Sequence, residues 1–457
     1  MIEHCKISVP VPESGLEPVL LSDETMACRV AAVRVKMKEK NLDALVIYAD
    51  LEHGSNFEYL TGFLPRFEEA LLVLKSDGKA YMVMGNENLN KVGKARLSAE
   101  AIHMPHFSLP NQPMETKNSV AQILAQCDFS TAKKIGLAGW KRFTAKYDDN
   151  SALTELPFYI VQALKEICPD ASMVNASDIF IGDGGVRSVN NANELAHYEF
   201  GAALAGQCMQ NAMDALEEGK TEMEAASHLS MYGQRHCVVT IMAAGERFEK
   251  ANLYPAAKRI ARGDRIAMTT GFKGGLQSRS GYAVSCEKEL PEAERDYLDR
   301  LAKPYYAAVQ AWLENIRIGM TGGELYQVIE NVFPKSEYHW HLNPGHLCAD
   351  EEWLSSPIYE KSEEVLQSGM ILQIDIIPSV APFGGVNAES GIALADEKLQ
   401  KEIETQYPEL MARFRARQAY MRDVLGINLP ACVLPMSNMT AFYRPFMLDK
   451  EKALVCR

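Results

Sequence analysis

Twice in the second half of this chain, one hundred residues apart, the same succession appears: a long amphipathic stretch, a glycine stop, a capping motif and a glycine-led strand. In the first copy, residues 194–218 have helical periodicity and end at Gly219. Thr221-Glu-Met-Glu224 follows as a capping box, in which hydroxyl and carboxylate each satisfy a backbone N–H of the helix start. In the second copy, residues 305–316 run to Gly319 and Thr321-Gly-Gly-Glu324 opens another helix. Strands led by Gly263-Asp264 and by Gly369-Met370 then follow. Two helix–helix–hairpin units predict a pseudo-twofold domain whose strands meet in the middle.

At 457 residues the chain exceeds the usual size of one core, which predicts two domains. Residues 43–49, 70–74 and 80–84 are apolar runs of strand length, the last two joined by a Ser76-Asp77-Gly78 turn. Residues 25–41 and 116–126 have helical periodicity. This alternation predicts a small α/β domain over residues 1–180. The stretch from Ile181 to Arg187 is rich in glycine but has no Gly-Lys-Ser/Thr, so it reads as a linker rather than a phosphate loop. The second domain is expected over 186–457. It includes an amphipathic helical stretch at 397–424 and an apolar, aromatic tail from Ala441, expected to pack on the domain or on a twin subunit.

Net charge is −13, which argues against a nucleic-acid grip, since that needs a basic face. No window approaches 18 continuous apolar residues, and no apolar run follows a basic start, so neither a membrane span nor a secretory signal is expected. Ten cysteines with no Cys-x-x-Cys pair read as reduced thiols of a cytoplasmic protein, without a zinc ribbon.

Five ordered segments, spanning roughly residues 25–395, resemble the creatinase, prolidase and aminopeptidase P family. They are Asn56-Phe-Glu-Tyr-Leu-Thr-Gly62, Arg187-Ser-Val-Asn-Asn-Ala-Asn-Glu194, Gly345-His346, Gly369-Met-Ile-Leu-Gln-Ile-Asp375 and Gly385-Val-Asn-Ala-Glu389. The resemblance implies an N-terminal α/β domain, a pita-bread catalytic domain and a homodimer. It also implies two metal ions held by two Asp, one His and two Glu, a carboxylate-rich cage suited to hard cations that activate water. Transferred position by position, the first Asp falls on Thr269 and the second near Ser278-Arg279-Ser280, where Arg279 is taken as the counterpart. His346 is retained, Asp375 replaces the first Glu, and Glu389 is the last Glu. With two anions replaced by a hydroxyl and a guanidinium, a two-metal centre is not expected. No cofactor is expected; a single divalent ion on His346, Asp375 and Glu389 is chemically possible, because one His and two carboxylates can hold one metal. Creatinase, the metal-free member, uses a His on the segment before the Gly-Asp strand; here that segment reads Asn252-Leu253-Tyr254-Pro255, and its specificity does not transfer.

The expected catalytic residues are therefore His346, Asp375 and Glu389. His346 reads either as a general acid/base or as a buried relic of the cage. Thr269, Arg279, His341 and Arg66 are the expected substrate contacts. Arg279 could clamp a carboxylate, or close the pocket by pairing with Asp375 or Glu389. His341 is the nearest match to a second family His, and it alternates with His339. Arg66 follows the Tyr-Leu-Thr-Gly segment and reads by default as a surface residue paired with Glu68 or Glu69. Cys348 reads as a buried thiol, and Asp350-Glu351-Glu352 as a solvated acidic loop. The leading functional expectation is a hydrolase cleaving a C–N bond of a small or short peptide substrate. The alternatives are a non-catalytic binding member of the fold and an Xaa-Pro aminopeptidase or dipeptidase.

Overall fold

The structure, a computed structural model, describes residues 1–249 and 254–457. The Asn252-Leu253 part of the segment compared with creatinase lies outside the described residues. Two compact units are present: Leu21–Arg187, and Met1–Leu20 together with Ser188–Arg457.

The first unit is built on a six-stranded mixed sheet. Its three central strands are Ala44–Ala49, Ala70–Lys75 and Ala80–Met84, and all their residues are buried. Burial on both faces is why these strands read as continuous apolar runs rather than as alternating patterns. Ala44–Ala49 also pairs in parallel with Lys134–Ala138, which pairs in parallel with Ser172–Asn175. Helix Asp23–Glu39 is capped by Ser22. The helix expected over 116–126 is confined to Val120–Leu124, because Ser119 caps it with a full capping box at that point.

The second unit carries two four-stranded sheets. In one, the hairpin Arg265–Phe272 and Gly275–Tyr282 lies between Ile241–Ala244 and Asn387–Glu389. In the other, Ile371–Gln373 lies between His346–Leu347 and Gly391–Leu394, with Val433–Pro435 at the far edge. Capping boxes open Glu222–Ala226 and Gly322–Val332, after the long helices Ala192–Ala215 and Lys303–Asn315. The second copy is looser than the first: Ile371–Gln373 pairs with Gly391–Leu394 across a long connection instead of a tight turn.

Residues 1–20, expected with the N-terminal domain, instead cluster with the second unit. Strand Ile2–Lys6 pairs antiparallel with Lys452–Cys456, so backbone hydrogen bonding assigns it there. Further along, Glu13 and the fully buried Glu199 meet Arg417 at 2.7 and 2.6 Å, and Arg413 reaches Glu199 at 2.6 Å. The amphipathic stretch 397–424 is broken at Pro408, giving Glu397–Gln406 and Pro408–Tyr420. The aromatic tail is buried within its own unit, with Ala441, Tyr443 and Met447 fully enclosed, so it offers no apolar face to a twin subunit.

Candidate active site

The site begins with the register of one hairpin. Its turn is Lys273-Gly274, with Phe272 opposite Gly275, which sets Thr269 opposite Ser278. Gly274 has φ +97°, and a Cβ there would stand 2.1 Å from the Tyr198 carbonyl, so only glycine makes this turn against helix Ala192–Ala215. On the other side, Ser278 pairs with Glu389 and Ser280 with Asn387. Side chains alternate along a strand, so Ser278 and Ser280 share one face and Arg279 takes the other.

Arg279 accordingly points away from the site. It is fully buried, and its guanidinium donates to the carbonyls of Phe442 (3.0 Å), Ser278 (2.8 Å), Glu389 (2.7 Å) and Met439 (2.6 Å), and to Ser390 Oγ (3.1 Å). Burial lowers its pKa to about 10. It neither clamps a substrate nor pairs with the carboxylates of Asp375 and Glu389; it fastens the C-terminal segment to the sheet. The neutral group beside Thr269 is Ser278, with their hydroxyls 2.8 Å apart.

Glu389 and Asp375 are both buried and near enough for each carboxyl to shift the titration of the other. Asn387 Nδ2 donates to Glu389 Oε1 at 2.6 Å and to Ser278 Oγ at 3.3 Å, joining the hydroxyl pair to the acids. Burial raises Asp375 to about 6, and burial together with the Asp375 charge holds Glu389 well above the usual carboxyl range.

His346 sits on the strand His346–Leu347, opposite Gln373, and is fully buried. Its Nδ1 lies 3.2 Å from the Leu347 carbonyl, which can only accept, so the proton is on Nδ1 and Nε2 presents a lone pair. Burial lowers its pKa to about 4, so the ring is neutral near pH 7. Nε2 has no hydrogen-bond partner, and it lies 3.5 Å from Glu352 Oε1 and 3.9 Å from Asp375 Oδ2. Trp353, 37% exposed, stacks on the imidazole at 4.2 Å.

Glu352 is the site residue that sequence reasoning missed. The acidic triplet is not a solvated loop. Asp350 is held by Lys273 at 3.2 Å and Tyr198 at 3.1 Å, and this anchoring accompanies the turn of Glu352 toward His346. Burial, then the Asp375 charge, raises Glu352 to about 7. At 30% side-chain exposure it is more open to solvent than Asp375 at 6%.

The other expected residues do not join this group. His341 and His339 are exposed, with His341 bridging the backbone of Ile377. Their ring positions follow a bent segment in which His339 and Leu342 both have positive φ, so the strand-like alternation fails. Arg66 belongs to the Leu21–Arg187 unit, where it is exposed and lies over the Phe67 ring at 4.8 Å. Its expected partners are engaged elsewhere, Glu68 by Asn88 and Glu69 by Tyr48 and Tyr159. Cys348 is buried against the Gly274 carbonyl, and burial holds its thiol well above its usual value, which removes it as a nucleophile.

Next to the acids, a cavity of about 370 Å³ is lined by Arg265, Ser280, Asn387 and the loop 377–386. Asn387 belongs to both cavity and acid group.

The donor set tests the metal cage that the resemblance implies. Thr269 and Ser278 contribute no anion, so a pair of dications would lack two carboxylates and does not fit. His346 offers an unused buried lone pair 3.5 Å from Glu352 and 3.9 Å from Asp375. Among the described residues no group of three or more His, Cys, Asp or Glu side chains is placed to hold a metal ion.

Comparison with known proteins agrees with the architecture. Residues 29–182 match the creatinase/prolidase N-terminal domain, and residues 196–399 match metallopeptidase family M24. An Xaa-Pro dipeptidase of Pyrococcus horikoshii is 23% identical over 262 residues, covering 55% of this chain and 72% of that protein. The prolidase structure from Thermococcus sibiricus superposes with a TM-score of 0.65 at 17% identity, over 83% of this chain and 96% of that one. The prolidase of P. horikoshii gives 0.63 at 17% identity, over 80% and 95%. At these identities the structural likeness is one of fold. The two family matches, in chain order on the two units, and the shared fold identify this chain as a member of the creatinase/prolidase/aminopeptidase P family.

Proposed function

We propose that the protein is a hydrolase that cleaves a C–N bond in a small amide or short peptide substrate without a two-metal centre. The observation that carries this reading is the buried, interacting pair of carboxyls Asp375 and Glu389, with His346 Nε2 3.9 Å from Asp375 and with Asn387, which also lines a cavity, donating to Glu389. Two carboxyls that share a proton supply both halves of acid–base chemistry. The ionised member accepts a proton from the attacking water, and the protonated member gives one to the leaving nitrogen. Asn387 fixes Glu389 for this exchange, and His346 Nε2 provides a further acceptor. A single divalent ion, if bound, would be held by His346, Asp375 and Glu389, and would polarise the scissile carbonyl and acidify water.

A cavity of about 370 Å³ suits a dipeptide-sized molecule. Among the described residues no helix is long and apolar enough to cross a membrane. All ten cysteines are free thiols, which suits a reducing cytoplasm. A homodimer rests on the family resemblance alone. The test is a panel of Xaa-Pro dipeptides, small amides, amidines and N-methyl amino acids, assayed for amine release with and without chelator. Turnover that is lost in Glu389→Gln supports the reading. Xaa-Pro cleavage with two ions per chain would replace it by a conventional metallopeptidase, and binding without turnover would replace it by a binding role.

A further inference from the structure

From the loop that follows the His346 strand we infer that Trp353 is a specificity-determining residue: it screens His346 from water and closes the site at the end opposite the cavity. The consequence for substrate rests on the hydrolysis proposed above; the screening does not.

Strand His346–Leu347 lies at the edge of its sheet, so no further strand covers it. A side chain there would ordinarily meet solvent, yet the His346 imidazole is fully buried. The cover comes from the returning chain. Leu347 N–H donates to the Ser355 carbonyl at 2.7 Å, and Leu354 N–H donates to the Leu347 carbonyl at 2.9 Å. Residues 348–354 are therefore a closed loop, and Trp353 on its returning limb lays its ring over the imidazole at 4.2 Å, 21° from parallel. The loop is latched to the hairpin turn Lys273-Gly274. Gly274 N–H donates to the Ala349 carbonyl at 2.7 Å, and Asp350 is held by Lys273 and Tyr198.

This is not how the core tryptophans of the chain are placed. Trp312 and Trp340 are fully buried and donate their indole N–H groups to the carbonyls of Pro344 and Phe333. Trp353 leaves 37% of its surface in solvent and spends one ring face on His346.

The groups of the site form a row that ends on this indole. Asn387, on the cavity wall, donates to Glu389 at 2.6 Å; Glu389 and Asp375 interact; Asp375 lies 3.9 Å from His346 Nε2; Trp353 stacks on His346. One end of the row opens into about 370 Å³. A substrate whose scissile bond lies at the acids can extend into that cavity. On the other side it has room only for a compact group, one that fits beside Glu352 and under Trp353. The substrate class is thus an amide with one compact end, of acetyl or glycyl size, and one larger end. The indole also keeps bulk water off the imidazole, where it would weaken the charge interactions of the acids.

The test is modification of the full-length protein by diethyl pyrocarbonate. The reagent transfers an ethoxycarbonyl group to an imidazole nitrogen, the ring N–H proton leaves, and carbon dioxide and ethanol are released. Peptide mass spectrometry reads each His separately. His346 should react at least about tenfold more slowly than the exposed His339 and His341. Trp353→Ala should remove that protection, and Trp353→Phe, which keeps a ring, should retain most of it. Circular dichroism establishes that each variant is folded. Asp350→Asn, which loosens the latch and leaves the indole in place, should give an intermediate His346 rate, and it carries the comparison where Trp353→Ala does not fold. Wild-type His346 reacting as fast as His341, or equal His346 rates in wild type and the folded variants, would overturn the inference. On the amide panel, Trp353→Ala should turn over substrates bulky at both ends that the wild type rejects. The same size preference in both proteins would remove the specificity role. Protection of His346 with no turnover of any C–N substrate would leave the screen standing while removing the proposed hydrolysis.

Discussion

Arg279 donates to the main-chain carbonyl of Glu389 at 2.7 Å, while the carboxyl of that same Glu389 faces Asp375 on the other side of the strand. The acid is thus held from behind by a cation that never enters the pocket. Arg279→Met should leave buried carbonyls of Ser278, Glu389, Met439 and Phe442 short of a donor. Each orphaned group costs about 1–3 kcal/mol, so the variant should lose at least about 3 kcal/mol. Arg279→Lys should rescue little, because an ammonium cannot span that set of acceptors. Denaturant midpoints measure both, and an unchanged midpoint in either variant would remove the bracing role.

Glu199 makes a comparable test at the other face of helix Ala192–Ala215. Burial alone would raise its pKa, but Arg417 and Arg413 outweigh that and hold it below its usual value. The linked stability is therefore present above the ordinary carboxyl pKa and lost as pH falls through the lower folded value. Glu199→Gln should cost about 3 kcal/mol at neutral pH, since it takes the carboxylate from Arg413 and leaves the buried Arg417 with Glu13 alone. Thermal unfolding from pH 3 to 7 should show a smaller acid-side loss in the variant.

The pocket acids have the opposite sign. Glu352 and Asp375 are raised, from 4.5 to about 7 and from 3.8 to about 6. Their contribution is complete below the ordinary carboxyl range and is lost as pH rises toward 7. His346, lowered from 6.5 to about 4, opposes them, losing stability as pH falls through that window. With acids outnumbering the imidazole, chelator-treated protein should be less stable at pH 8 than at pH 5. Glu352→Gln should flatten that slope, by on the order of 2 kcal/mol across the range. Melting curves at fixed ionic strength decide it; an identical slope would show that Glu352 does not titrate in this group.

Thr269→Asp with Ser278→Asp should return two carboxylates to facing positions of one hairpin. Elemental analysis of the double variant should then find more Mn²⁺ per chain than in the wild type. Arg279→Asp should not do this, because that position lies on the far face. Equal stoichiometry in both would show that the two facing hairpin positions do not decide metal binding.

How far the chain could be read from its residues depended on whether a signal was local. The strands at 44–49, 70–75 and 80–84 and both capping boxes were legible because each is written in adjacent residues. His346, Asp375 and Glu389 could be brought together only through the family resemblance. Arg279 was misplaced by one position, and in a strand one position exchanges faces. The correction was within reach: a two-residue turn at Lys273-Gly274 pairs Thr269 with Ser278. Glu352 left no such trace. Its direction follows a loop anchored by Asp350 to Lys273 and Tyr198, residues remote in sequence.

Strand Ile2–Lys6 ladders with Lys452–Cys456, so two segments remote in sequence are stitched side by side. The Leu21–Arg187 unit is continuous in sequence and can mature while synthesis is still under way. The unit carrying His346 cannot: Ile2–Lys6 must wait, unpaired, until Lys452–Cys456 emerges.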